Sequence, residues 1–155
     1  MKKNLLALDL GKGSLGVAIS RSGMFITPIT NLRFHAMQFS EAIDYLKELL
    51  MVEKVETFVL GLPLFPSGDD CEMTSVVKQF AEMLKENFPD IEIVFQDERY
   101  STLEASSVLH KQGQNSKKQH KGIDAAASCV ILKRYLISIG QMDDIAKKKK
   151  KKDYY

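Results

Sequence analysis

A single acid inside an apolar run constrains this chain more than any other feature. Residues 4–10 read NLLALDL, and a second β-rich run, LGVAIS over 15–20, follows the turn Gly11-Lys12-Gly13-Ser14. Two short apolar runs around a glycine-rich turn predict a β-hairpin. Asp9 then lies in a strand whose other side chains favour burial. A buried, unpaired carboxylate costs on the order of several kcal/mol or takes up a proton. Asp9 therefore needs a cation, a donor network or a metal, unless it ends the strand and caps the turn. Both readings stand at this point.

Further along, a third strand is expected over 25–32, at a sheet edge because Pro28 has no N–H to donate. Ser40 offers an N-cap with Glu41 in the first turn. Ala42, Ile43, Leu46, Leu49 and Leu50 recur at helical spacing, so a helix is predicted from Ser40 to Val52. TFVLGL over 57–62 is continuously apolar, as in a strand buried on both faces. Residues 63–70 read as a loop. Met73, Val76, Val77, Phe80, Ala81 and Leu84 mark a helix that stops before Pro89, and IEIVF over 91–95 is a strand. Ser101-Thr102-Leu103-Glu104 is a capping box opening a helix to about Leu109. Residues 113–122 are polar and basic and read as a loop. Ile123 to Ile139 is the longest helix, with Ala126, Val130, Ile131 and Leu136 among its apolar positions. The order β-β-β-α-β-α-β-α-α predicts an α/β fold: a five-stranded mixed sheet, a three-strand meander followed by β-α-β crossovers, flanked by helices.

Composition narrows the setting. The 155 residues fit one domain, expected over 1–141, followed by a disordered basic tail over 142–155. Lys147 to Lys152 are six consecutive lysines; without them 22 − 6 = 16 basic residues face 20 acidic ones, so the net charge of +2 hides a mildly acidic body. Such a block repels itself; it solubilises, or grips a phosphate backbone without reading sequence. Cys71 and Cys129 form no CxxC pair, which argues against zinc and fits a reducing compartment. The apolar N-terminal run is broken by Asp9 and Lys12 with no cleavage site behind it, so a secretory leader is not expected. No run reaches the length of a membrane span. These features predict a cytoplasmic protein. His35, His110 and His120 show no metal-ligand spacing.

Two further acids fall where a sheet enzyme would use them. Asp97-Glu98-Arg99 follows the strand IEIVF directly; alone it reads as a solvated turn. Asp124 stands at the predicted start of the last helix, where an acid favours the dipole. If the strands before Asp9 and Glu98 run parallel, both acids lie at carboxyl ends, where open α/β sheets collect their active sites. Converging carboxylates need a counter-charge. Mg²⁺ or Mn²⁺ supplies it, and two such ions roughly 3.5–4 Å apart hydrolyse phosphodiesters. Asp9, Glu98 and Asp124 are thus the expected catalytic and metal-binding residues. Gly61 to Leu64 either ends its strand or lets substrate approach closely. Expected substrate contacts are Lys12 in the first turn, Arg99, which pairs with Asp97 or reaches a phosphate, and Lys117, Lys118 and Lys121 ahead of Asp124.

These motifs together resemble a known family. Leu8-Asp9-Leu10-Gly11 with Gly16-Val17-Ala18, then Gly61-Leu62-Pro63-Leu64, then Asp97-Glu98-Arg99-Tyr100-Ser101-Thr102, then Ile123-Asp124-Ala125-Ala126-Ala127 are similar to the YqgF (RuvX) family in order and spacing. The resemblance implies an RNase H-like fold with an acidic metal site at Asp9, Glu98 and Asp124. It implies a nuclease that matures the 5′ end of 16S rRNA or, alternatively, resolves Holliday junctions. The partner would be structured RNA or branched DNA, and the protein a monomer or homodimer. Here the GLPL segment continues as Phe65-Pro66-Ser67-Gly68-Asp69-Asp70 where the family usually has an Asn- and Gly-rich loop, and Lys12-Gly13-Ser14 replaces the usual arginine-bearing turn. Two other functions compete. An actin-like or sugar-kinase-like ATPase would use DLG-x-GS for phosphate but needs a second lobe. A non-catalytic RNA-binding module would not need three costly acids.

Overall fold

The computed structural model describes residues 3–99 and 116–142, with only the backbone path for 116–125. Strands β1 (Leu5–Leu10), β2 (Ser14–Arg21) and β3 (Phe25–Arg33) form the expected meander. Helix α1 (Phe39–Val52) leads to β4 (Thr57–Leu62), and α2 (Glu72–Asn87) to β5 (Glu92–Asp97); α3 (Ser116–Ser138) closes the described part. The sheet order is β3-β2-β1-β4-β5, with β4 parallel to both β1 and β5. Pro28 lies on the edge strand β3 beside a register shift at Val17/Ala18, where a missing donor does no harm. The predicted helix over 101–109 lies outside the described residues, as does the tail beyond Met142. Met142 itself, assigned to the tail from sequence, packs partly against the core.

Alternation along the strands divides the core into two layers. Leu6, Leu8 and Leu10 of β1 with Phe58 and Leu60 of β4 face α1 and α2. Leu5 and Ala7 with Val59 face α3, meeting Ile131, Leu132 and Leu136. Helix α1 buries Phe39, Ala42, Ile43 and Leu46, one stripe at helical spacing. It starts one residue before the predicted cap: Gln38 is the N-cap, without a side-chain cap bond, and Ser40 lies inside the first turn. Packing explains the shift, because Phe39 is buried with edge-on ring contacts to Phe34 at 6.0 Å and Phe80 at 5.9 Å. Glu41 in the first turn instead reaches back to the chain ahead of the helix, accepting the His35 N–H at 2.8 Å.

Helix α3 corrects a second expectation. It begins at Ser116, so 116–122, read as a loop from polarity, is helical. Lysine and glutamine are good helix formers, and polarity reports exposure rather than backbone conformation. Asp124 consequently lies about two turns inside the helix, too far in for the helix-start explanation of that acid.

The α1/α2 layer makes a direct test. Phe80 is fully buried and stacks edge-on against Phe39. Phe80→Ala is expected to destabilise the fold by about 3–5 kcal/mol, read as a lowered urea midpoint; a loss under about 1 kcal/mol would mean this layer is not the main core.

Candidate active site

The parallel β1, β4 and β5 bring their carboxyl ends to one sheet edge. Asp9 is the fifth residue of β1 and, two positions beyond Ala7, points to the α3 face. It is half-buried and pairs across the hairpin with Gly16. Its turn is closed by Gly11 N–H donating to the Ser14 carbonyl at 2.8 Å, and a side chain at Gly11 would come within 2.7 Å of Ser14 Oγ. Glu98 follows β5 immediately; its N–H donates to the Leu62 carbonyl at 3.2 Å, fixing it to the end of β4.

Gly61 sets where the Glu98 carboxyl rests. A Cβ at this position would lie 2.8 Å from Glu98 Oε2 and 2.6 Å from Ile131 Cδ1. The missing side chain is therefore the seat of the carboxyl group and lets α3 close over the sheet. Sequence reasoning left Gly61 divided between strand termination and substrate approach; its role as a seat depends on contacts with residues far away in the chain. Gly61→Ala should displace Glu98 and open the α3 contact, costing about 1–3 kcal/mol and at least about tenfold in cleavage, since positioning errors near 1 Å are that costly. An unchanged melting temperature and rate would show the seat to be dispensable.

Asp9 and Glu98 are joined by a side-chain hydrogen bond. Burial, and then the charge of Asp9, push the Glu98 carboxyl up to about 9. Glu98 is thereby favoured in its protonated form near neutral pH. Asp97, by contrast, is held below the usual carboxylate range by Arg99. Arg99 Nε donates to Asp97 Oδ2 at 2.7 Å and its backbone N–H to Asp97 Oδ1 at 2.9 Å. Arg99 Nη1 also donates to the Pro66 carbonyl at 3.1 Å, tying the β4–α2 loop to the site. Of the two roles open to Arg99, the structure shows the pairing with Asp97.

The other expected site residues divide. Lys12 is exposed on the first turn, with Nζ 3.4 Å from Glu72 Oε1 at the start of α2. Lys117, Lys118 and Lys121 lie in the first turns of α3 rather than in a loop, and Asp124 follows on the same helix; their side chains lie outside the described residues. Two contributors escaped sequence reasoning. Arg134 of α3 donates from Nη1 to the Arg99 carbonyl at 2.7 Å, buttressing the segment that carries Glu98. Thr74, fully buried, donates to the Pro63 carbonyl at 2.6 Å and accepts the Cys71 N–H at 2.8 Å, pinning the start of α2 to the end of β4. Arg134 acts on backbone 35 residues away; Thr74 has a local capping bond to Cys71, but its hold on Pro63, 11 residues away, is not visible in that pattern.

Two carboxyl groups offer hard oxygen donors suited to Mg²⁺ or Mn²⁺, and a cation bound there would displace the Glu98 proton. Among the described residues no group of three or more His, Cys, Asp or Glu side chains could hold a metal. No described helix is long and apolar enough to cross a membrane.

A mixed sheet in this order, with acids gathered at the carboxyl ends of its parallel strands, defines an RNase H-like α/β protein. Solved structures agree on the fold: Thermus thermophilus RuvC superposes with a TM-score of 0.52, covering 89% of this chain and 97% of RuvC at 9% identity. T. thermophilus RuvC in complex with a Holliday junction substrate gives 0.54, covering 90% and 97% at 10% identity. The chain belongs to the RuvX family, described as Holliday junction resolvase, whose model matches residues 3–138. A Mesomycoplasma hyopneumoniae protein named "Putative pre-16S rRNA nuclease" is 36% identical over 133 residues, covering 85% of this chain and 92% of its own. A Corynebacterium jeikeium protein of the same name is 35% identical over 134 residues, covering 84% of each.

Proposed function

We propose that this protein is a divalent-metal-dependent cytoplasmic nuclease that trims the 5′ end of precursor 16S rRNA. The observation that carries the proposal is the hydrogen-bonded Asp9–Glu98 pair, with Glu98 seated over Gly61, in a chain of the RuvX family. Asp9 and Glu98 would hold Mg²⁺ or Mn²⁺ together with Asp124. The bound ions would activate water and stabilise the leaving oxygen of a phosphodiester. The protein's own contribution is placement: β1 and β5 fix two oxygens at one edge, Gly61 sets the depth of one of them, and Arg134 holds the Glu98 segment from behind. Lys12, Lys117, Lys118 and Lys121 would draw in the phosphate backbone without reading sequence.

The second reading, four-way DNA junction cleavage, is favoured by the family's description and the RuvC-like fold. It requires two active sites related by a two-fold axis, hence a homodimer. Purified protein incubated with precursor 16S rRNA and with a four-way junction, with and without Mn²⁺, separates the two. Mn²⁺-dependent cutting of the precursor by a monomer is expected. Symmetric junction cleavage by a dimer with the precursor left intact would replace this reading by the second, and cutting of neither would end both.

A further inference from the structure

Among the exposed large apolar side chains of the described residues, Phe65 lies in a loop that Arg99 of the site tethers. It is 53% exposed, in the loop between β4 and α2. Its N–H donates to the Asp69 carbonyl at 2.9 Å, and its own carbonyl accepts the Gly68 N–H at 2.8 Å. Leu64 and Asp70 bridge the loop's two ends. Arg99, locked on Asp97, holds the Pro66 carbonyl at 3.1 Å. Every peptide group of Phe65 is thus fixed while its ring stays in water, although burying a phenyl ring is favourable. A mobile loop could fold such a ring inward, but this one is tethered against that.

Position and charge indicate what the ring meets. Leu62, whose carbonyl holds Glu98, is three residues away, a reach of at most roughly 11 Å. Charges of both signs lie in and beside the loop: Asp69 and Asp70 belong to it, Lys78 Nζ stands 3.9 Å from Asp70 Oδ2, and the Arg99 guanidinium reaches the Pro66 carbonyl, so a nucleotide's phosphate is not shut out. An uncharged planar group can approach the ring. Aromatic side chains held in this way stack on unpaired bases, tolerantly of sequence. We infer that Phe65 is a stacking platform for the base of an unpaired nucleotide beside the cleaved phosphate, an inference that rests on the nuclease reading above. It makes Phe65 a specificity-determining residue favouring substrates with an unstacked nucleotide at the cut.

The chain contains no tryptophan, so Phe65→Trp introduces a single fluorescent reporter. Phe25→Trp is the control: Phe25 is 75% exposed, and its partner Arg21 lies five residues along β2 from the Gly16 that pairs with Asp9, roughly 17 Å away. The probes are single-stranded RNA and DNA of roughly 12 nucleotides and a blunt duplex of the same sequence, all in chelator so that nothing is cut. Quenching of the Phe65→Trp signal by a single strand, with Phe25→Trp unchanged and the duplex weaker, is the expected result; the RNA and DNA arms tell which nucleic acid supplies the base. In metal-dependent cleavage, Phe65→Ala should raise KM about tenfold with kcat nearly unchanged, and Phe65→Tyr should restore it. No quenching at concentrations that saturate cleavage, or an unaltered KM in Phe65→Ala, would overturn the inference while leaving the nuclease reading intact. Quenching without any cleavage by wild type would instead remove the nuclease reading and keep the base contact.

Discussion

Asp9→Asn is expected to lower the cleavage rate by about a thousandfold without unfolding the protein. An asparagine keeps the shape and the strand position but offers a neutral oxygen where the proposed ion needs charge. Metal stabilisation of the transition state is worth on the order of several kcal/mol, and each 1.4 kcal/mol is a factor of ten. The fold should not suffer, because Asn keeps a side-chain oxygen that can accept the Glu98 hydrogen bond while removing the charge that helps push Glu98 up. Replacing Asp9 lets Glu98 return toward an ordinary carboxyl. The measurement is single-turnover cleavage with Mn²⁺ beside a thermal melt. A rate within tenfold of wild type would remove Asp9 from the chemistry; a collapsed melt would show it to be structural.

Glu98 makes the second large prediction, in pH. Its folded-state value, about 9, lies above the 4.5 of a free glutamate. Between these values the folded metal-free protein keeps a proton that the unfolded chain has released. The Glu98 contribution to stability is therefore full below about pH 4.5 and falls as pH rises towards 9, by up to ~1.4 kcal/mol per unit. Glu98→Gln mimics the protonated acid and should flatten the slope, melting several degrees above wild type at alkaline pH and with it near pH 5. Stabilisation by Mn²⁺ should run the other way, growing with pH, because binding must displace the proton. Parallel melting curves for wild type and Glu98→Gln across the whole range would mean that Glu98 is neither buried nor coupled to Asp9 as described.

The elements with a clear period were legible before any coordinates. The β1–β2 hairpin, α1, β4 and α2 follow from apolar spacing, and Pro28 correctly marked an edge. The errors share a cause. Ser40 looked like a cap because of its type, but the burial of Phe39 against Phe34 and Phe80 set the start of α1. Residues 116–122 looked like a loop because they are polar, and the early start of α3 moved Asp124 away from the helix terminus that had seemed to explain it. Arg99 was read with two roles open, and the carbonyl of Pro66 as its second partner is a contact no local pattern encodes.

The sequence by itself determined which residues face the core, the β-β-β-α-β-α-β order, and that one acid would stand in an apolar strand, since these depend on side-chain type and spacing along a single segment. The pairing of that acid was a matter for the tertiary structure alone. Asp9 meets Glu98 because β1, β4 and β5 run parallel in adjacent positions and because Gly61 between them has no side chain to fill the space. The raised Glu98 carboxyl is a property of that meeting: its desolvation and the charge of Asp9 beside it exist only once the chain has folded.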